Sequence, residues 1–152
     1  KVKKVWGLEP SPEMRRMAEG VARKVALEVA FLELPGEEIP LPDDSVDTVL
    51  VTYTLCTIPD VAQALRQIRR VLKPGAELLF CEHGLAPDNG VARWQNRIDP
   101  LWSKVSGGCH LNRPIDVLIA SAGFRMADME TMYMPGPRTH GFNYWGAAVA
   151  GS

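Results

Sequence analysis

The chain of 152 residues has no strong excess of charge of either sign. Its 17 Lys and Arg residues nearly balance 18 Asp and Glu residues, which leaves a formal net charge of −1. Domains that bind nucleic acid through bulk charge are usually basic. We therefore expect no nucleic-acid partner.

Long apolar runs are also absent. No stretch approaches the ~20 apolar residues that a membrane-crossing helix needs. The basic residues from Lys1 to Lys4 are not followed by an apolar segment, so the sequence predicts no signal peptide.

Cysteine is scarce, and its pattern predicts no disulfide framework. Cys56, Cys81 and Cys109 are odd in number and scattered, and no CxxC or HxxxH pattern occurs. Cys109 and His110 are adjacent rather than spaced as metal ligands are. We expect a reduced, cytoplasmic protein without disulfides and without a metal site.

The remaining composition is that of an ordinary folded domain. Apolar residues make up 46% of the chain and charged residues 23%. There is no internal repeat and no linker, so residues 1–152 are predicted to form a single domain.

The centre of the chain is predicted to be a strand–helix–strand unit. Val46 to Val51 is an apolar run typical of a buried strand, and Asp60 can cap the amphipathic helix that follows. Residues 73–75 (Lys-Pro-Gly) end that helix, and Ala76 to Cys81 reads as the next strand. Because the connections are short, the two strands should be parallel neighbours.

The flanking segments extend this pattern. Alternating strands and helices predict a three-layer α/β sandwich with a mostly parallel sheet and an antiparallel C-terminal hairpin. The further predicted features are a strand over Val2 to Leu8; a helix capped by Ser11 that buries Met14, Met17, Ala18 and Val21; a strand over Lys24 to Leu34; a loop over Pro35 to Asp44; a helix with its apolar stripe from Val91 to Val105; a helix capped by Asn112; and strands over Arg125 to Met134 and Gly141 to Ala150, joined by a loop over Pro135 to His140.

Three segments carry a resemblance to a known family. They are PLPDDSVDTVLVTYTLCTIPD (residues 40–60), ALRQIRRVLKPGAELLFCEHG (residues 64–84) and WQNRIDPLWSKVSGGCHLNRPIDVLIASAGF (residues 94–124). Together they resemble class I S-adenosylmethionine-dependent methyltransferases of the Rossmann-like fold. The likeness is to the branch that includes quinone-biosynthesis C-methyltransferases and the thiol and lipid-associated methyltransferases. The resemblance implies S-adenosylmethionine as cofactor and a small, apolar methyl acceptor.

The resemblance also implies where the cofactor binds. Glu9, at the end of the first strand, takes the position of the acid that holds the ribose hydroxyls, and Pro10 that of the residue against the adenine. The family's adenine-binding acid falls on Pro35, which has no acceptor side chain, so the backbone of Gly36 and Glu37 is left to line that pocket. Read without the resemblance, Glu9 is a surface carboxylate in a turn.

Other residues at strand ends are candidates for the reacting groups. Thr52, Tyr53 and Thr54 lie where the methionine part of the cofactor is expected, and the Tyr53 hydroxyl could orient an acceptor or simply cap the core. His83 is the candidate base, because its ordinary pKa is near neutrality. The alternative for His83 is a polar residue at a strand end without a chemical role.

The acceptor is expected near the later helices. Trp94, Trp102 and His110 belong to the segment that varies with the acceptor in this family. Two tryptophans near basic residues could line an apolar pocket or rest on a membrane surface, and the alternative is that they are core.

What the family has and this chain lacks is the first strand with its glycine-rich loop. There is no GxGxG, and the resemblance places the missing strand between the strand of Val2 to Leu8 and that of Val46 to Val51. We expect one of three arrangements: the two strands close up, a partner such as a second copy fills the gap, or the natural protein is longer. Three functions stay open, namely methyl transfer, a non-catalytic domain that works by association, and a peripheral membrane or lipid-binding module that uses the helix from Trp94 to Trp102.

Overall fold

A computed structural model describes residues 2–151. Its elements alternate along most of the chain, as predicted for an α/β fold. In chain order they are β1 (Lys4–Leu8), α1 (Pro12–Ala22), β2 (Glu28–Leu32), β3 (Val46–Thr52), α2 (Val61–Val71), β4 (Leu72–His83), α3 (Asn89–Val105), α4 (Ile115–Ser121), β5 (Phe124–Tyr133), α5 (Arg138–Gly141) and β6 (Phe142–Ala150). None of these helices is both long and apolar enough to cross a bilayer.

The strand–helix–strand unit at the centre is confirmed. The Asp60 carboxylate accepts a hydrogen bond from the backbone N–H of Gln63 (2.8 Å) and so caps α2. β3 and β4 are parallel neighbours. The buried face of α2 packs into the main core. That core contains Leu65, Ile68, Leu78, Phe80, Ile119, Phe124 and Ala148.

The main sheet has the strand order β3-β4-β6-β5. β6 runs antiparallel to both β4 and β5, which confirms the C-terminal hairpin. The fold is therefore the predicted Rossmann-like α/β sandwich with an antiparallel edge. The Pro135–His140 connection holds the short helix α5, which the sequence did not predict.

β1 and β2 form a separate, parallel two-stranded sheet. Within residues 2–151, β1 pairs only with β2 and β3 pairs only with β4, so the two flanking strands do not close up. Leu8 still packs against the main core. Leu50 of β3 is 67% exposed, although its sequence context predicted a strand buried on both faces.

The apolar stripe predicted for α1 is not buried. Ser11 caps the helix as expected, with its hydroxyl accepting from the Met14 N–H. However, Met14, Met17 and Val21 are all exposed. Amphipathic spacing shows which face of a helix is apolar, but only a packing partner buries it, and the described residues supply none here.

Three element boundaries also differ from prediction. Asn112 does not cap α4, which begins at Ile115 after Pro114; the Asn112 amide instead donates to Asn96 Oδ1 (2.9 Å). β4 begins directly after α2, because Leu72 already pairs with Val46. β2 is limited to Glu28–Leu32, since a turn at residues 23–24 and a bend at residues 25–27 come before it.

Candidate functional site

The loop that follows β3 is held by a buried carboxylate. Glu82, on the inward face of β4, is fully buried. Its carboxylate accepts hydrogen bonds from the backbone N–H groups of Thr54 (2.7 Å), Leu55 (3.1 Å) and Cys56 (3.3 Å). Burial raises the pKa of Glu82, and the three donors oppose that rise.

The backbone carbonyl groups of the same loop accept hydrogen bonds from residues later in the chain. The Arg113 guanidinium donates to the carbonyl oxygens of Leu55 and Ile58, the latter at 2.7 Å. The backbone N–H of His110 donates to the Cys56 carbonyl oxygen (2.8 Å). The loop over residues 53–58 is therefore fixed on both its donor and its acceptor sides.

Tyr53 begins this loop in an unusual backbone conformation. Its φ is 49°, in the left-handed region that few non-glycine residues adopt. The side chain is 51% exposed, so Tyr53 does not cap the core. Its hydroxyl donates to Asn143 Oδ1 (2.9 Å), and Thr52 and Thr54 beside it are exposed or half-buried.

His83, at the end of β4, lies beside Tyr53. The two ring centroids are 6.0 Å apart, and His83 Nε2 is 2.9 Å from Cys109 Sγ. Burial, together with nearby His140, lowers the pKa of His83, which keeps the imidazole neutral near pH 7. Nδ1 is buried and has no hydrogen-bond partner among residues 2–151.

Glu9 lies half-buried at the end of β1. Its Oε1 accepts from the Ser11 N–H (2.9 Å), which orients the carboxylate, and its other oxygen makes no hydrogen bond within residues 2–151. Pro10 beside it is exposed. A half-buried carboxylate with a free oxygen at a strand end fits the ribose of S-adenosylmethionine. The described residues contain no glycine-rich loop to hold the rest of that molecule.

Gly36 and Glu37 dock against the loop and the start of α2. A Cβ at Gly36 would lie 2.7 Å from Ile58 Cδ1, so a larger residue there would displace the end of the Ile58 side chain. Glu37 Oε1 accepts from the Asp60 N–H (3.2 Å). The two residues therefore join the Pro35–Asp44 loop to the loop after β3.

The three residues predicted to meet the acceptor do not share one wall. Trp94 is 59% exposed on the outer face of α3. The Trp102 ring instead packs edge-on against His140, with centroids 4.4 Å apart. His110 Nδ1 pairs with Asp99 Oδ2 (2.9 Å). His110 also hydrogen-bonds to the loop after β3 through its backbone N–H.

The anchoring residues Glu82, Arg113 and Asp99 were not predicted. The alternation of β4 contained a signal for Glu82, because Leu78, Phe80 and Glu82 recur at the spacing of one strand face. No local pattern identifies Arg113, whose partners lie more than 50 positions earlier.

A separate cavity lies away from this site. It has a volume of about 540 Å³ and lies between α1 and β2, where Arg15, Val29 and Phe31 line it. Neither Glu9, Tyr53 nor His83 borders it.

Comparisons with known proteins identify relatives of this chain. Thiol S-methyltransferase TMT1B of Rattus norvegicus is 33% identical over 131 residues, which cover 84% of this chain and 54% of that protein. The Homo sapiens TMT1B is 32% identical over 136 residues, covering 87% and 56%. The chain thus spans about half the length of these curated relatives.

Solved structures share the fold. A SAM-dependent methyltransferase from Methanosarcina mazei superposes with a TM-score of 0.75 at 20% identity, covering 97% of this chain and 82% of that one. The [4+2]-cyclase SpnF superposes with a TM-score of 0.76 at 20% identity, covering 98% and 66%. This fold therefore also occurs in a protein described as a cyclase.

The profile of the family described as "Methyltransferase domain" matches residues 1–80, more than half of the chain. On that match, the chain belongs to the methyltransferase domain family.

Proposed function

We propose that this chain carries the site of an S-adenosylmethionine-dependent methyl transfer to a small, apolar thiol. The observation that carries the proposal is the unpartnered, buried Nδ1 of a neutral His83 at the carboxyl end of the sheet. Ligands bind at this end of open α/β sheets. The thiol is favoured because the relatives TMT1B of rat and human are named thiol S-methyltransferases.

The cofactor would be held at this edge by residues from both sheets. Glu9 has a free carboxylate oxygen for a ribose hydroxyl, and Thr52, Tyr53 and Thr54 lie at the end of β3 for the methionine side. When bound, S-adenosylmethionine supplies an electrophilic methyl group. The protein's part is to orient the acceptor, exclude water and remove one proton.

His83 is suited to remove that proton. With its own proton on Nε2 and donated towards Cys109 Sγ, the ring has a lone pair at Nδ1. Nδ1 can then accept the S–H proton of the thiol. Tyr53, anchored through Asn143, can contact the acceptor beside it.

The test starts with binding. Calorimetric titration with S-adenosylhomocysteine should give heat for the unchanged chain, and Glu9→Gln should weaken binding about 10-fold, as expected for the loss of one charge-assisted hydrogen bond. Glu13→Gln is the matched control, because Glu13 is an exposed acid two residues after Ser11. Equal affinity of the two variants would overturn the role of Glu9.

Turnover tests His83 separately. With a small aromatic thiol as acceptor, His83→Gln should lower kcat by about 10²- to 10⁴-fold at unchanged cofactor affinity. His140→Gln leaves the proposed base in place, so it should lower kcat far less than His83→Gln does. An unchanged kcat in His83→Gln would exclude His83 as the base.

Association without turnover is a second candidate, and the unpaired edges of β1 and β3 favour it. A second copy could cover these edges, since unpaired backbone groups recruit another strand. A dimer in sedimentation velocity, together with no heat in the titration at millimolar ligand, would support this candidate over methyl transfer. A monomer that binds the ligand would reject it.

We also propose that α3 contacts an anionic membrane surface. Trp94, Leu101 and Val105 lie on one helix face and are all exposed, with Leu101 at 71%. The exposed basic residues Arg93, Arg97 and Lys104 flank this face. An apolar face beside basic residues matches the chemistry of an anionic lipid interface.

A further inference from the structure

Two cysteines and a histidine from three separate segments meet beside the proposed site. Cys56 lies in the loop after β3, His83 at the end of β4 and Cys109 in the turn after α3. Their ligand atoms, the two Sγ atoms and a ring nitrogen, all lie within 4.8 Å of one another. We infer that this cluster binds a thiophilic divalent metal ion of the zinc class.

The spacing of the donors suits such an ion. Zinc bonds of about 2.3 Å to sulfur and about 2.0 Å to nitrogen place tetrahedral ligand atoms roughly 3.5 to 3.8 Å apart. The distance from His83 Nε2 to Cys109 Sγ is 2.9 Å, and the other two are at most 4.8 Å. Small side-chain adjustments therefore bring all three atoms to one ion.

Two of the donors are held in place by the backbone. The Cys56 N–H donates to Glu82, and its carbonyl accepts from His110. Gly107 and Gly108 adopt φ values of 67° and 91°, and a Cβ at Gly108 would lie 3.5 Å from the Thr57 carbonyl oxygen. The glycine turn therefore brings Cys109 against the loop that carries Cys56.

The charges also balance. Two thiolates and a neutral imidazole neutralise a divalent ion, so the filled site adds no net charge to a partly buried region. Both thiols must lose their protons, and metal binding should release two protons. Three protein ligands leave a fourth position for water or another ligand, as in Cys₂His sites.

The sequence predicted no metal site, because Cys109 and His110 are adjacent and no spaced motif occurs. The structure groups a different set, whose members are 26 or more positions apart in the sequence. A metal at Nε2 would also leave the His83 proton on Nδ1. If the proposed function holds, metal binding therefore removes the base and inhibits methyl transfer.

The test uses Co²⁺ on the reduced chain without cofactor or acceptor. We expect an intense near-ultraviolet thiolate-to-cobalt band, visible bands of a tetrahedral site, loss of both on adding Zn²⁺, and two protons released per ion. Cys109→Ser should abolish the thiolate band or weaken Co²⁺ binding at least about 10-fold. Cys81→Ser is the matched control, because Cys81 is half-buried on β4 but outside the cluster.

The absence of a thiolate band in the unchanged chain would overturn the inference. So would a Cys109→Ser variant that keeps both the thiolate band and the Co²⁺ affinity of the unchanged chain. Because Cys109 is only half-buried, its serine variant should fold, and circular dichroism checks this. The readout needs no methyl transfer, so its failure is separate from failure of the proposed function.

Discussion

At the scale of single residues, Glu82 has the largest structural task near the site. One buried carboxylate accepts from three consecutive backbone N–H groups. It thereby fixes the loop that presents Tyr53 and Cys56. His83, its neighbour on β4, points to the opposite face of the strand, so a single strand end supplies both the support and the candidate base.

Replacing Glu82 should therefore be costly. Glu82→Gln puts an NH₂ group against backbone donors and leaves at least one buried N–H unpaired, which costs about 1–3 kcal/mol. We expect a correspondingly lower midpoint of urea denaturation. Glu77→Gln, an exposed change on the same strand, should leave the midpoint nearly unchanged. Equal midpoints for the two variants would contradict this account of Glu82.

Residues at the ends of strands were predictable, and residues that hold loops were not. Glu9, Tyr53 and His83 lie at the ends of apolar runs, so strand prediction alone places each of them at the carboxyl end of a strand. Arg113 acts through the tertiary fold, because its acceptors are carbonyl oxygens distant in sequence. Every residue type has a backbone carbonyl, so the sequence does not show which carbonyl groups accept hydrogen bonds from an arginine.

At the scale of elements, α3 has apolar residues at helical spacing, and only some of them pack against the rest of the protein. Ile98 is half-buried and Trp102 packs against His140, whereas Trp94, Leu101 and Val105 face outwards. The helical spacing of these residues was predicted correctly. Which part of the stripe would be covered depends on neighbouring elements, as it does for the exposed methionines of α1.

The exposed part of α3 leads to a direct expectation. Leu101→Gln should reduce co-sedimentation with anionic phosphatidylserine vesicles, because it removes apolar contact with the lipid interface. Val117→Gln is the control, since Val117 is an exposed apolar residue on α4. Binding should weaken as salt is added. Vesicle binding that both changes leave equal would remove α3 as the contact.

At the scale of the whole molecule, the strands divide into two sheets. The sequence predicted the pairing of strands that are joined by a short connection. The clearest case is the pair β3 and β4. The resemblance also located the interruption between β1 and β3. The sequence could not show which of the three arrangements applies. The pairing of β1 and β3 depends on whether another strand lies between them.

The interrupted sheet should be visible in amide hydrogen exchange. β4 is flanked by β3 on one side and β6 on the other, so its amides should exchange most slowly. β1 and β3 each have one paired edge within residues 2–151, so their amides that face the gap should exchange far faster in mass-spectrometric labelling. If those amides become protected as protein concentration rises, a second copy covers them. Fast exchange at every concentration would instead mean that Glu9, the proposed ribose acid, lies at the end of a weakly protected strand. Cofactor binding and the ordering of β1 would then be one coupled event.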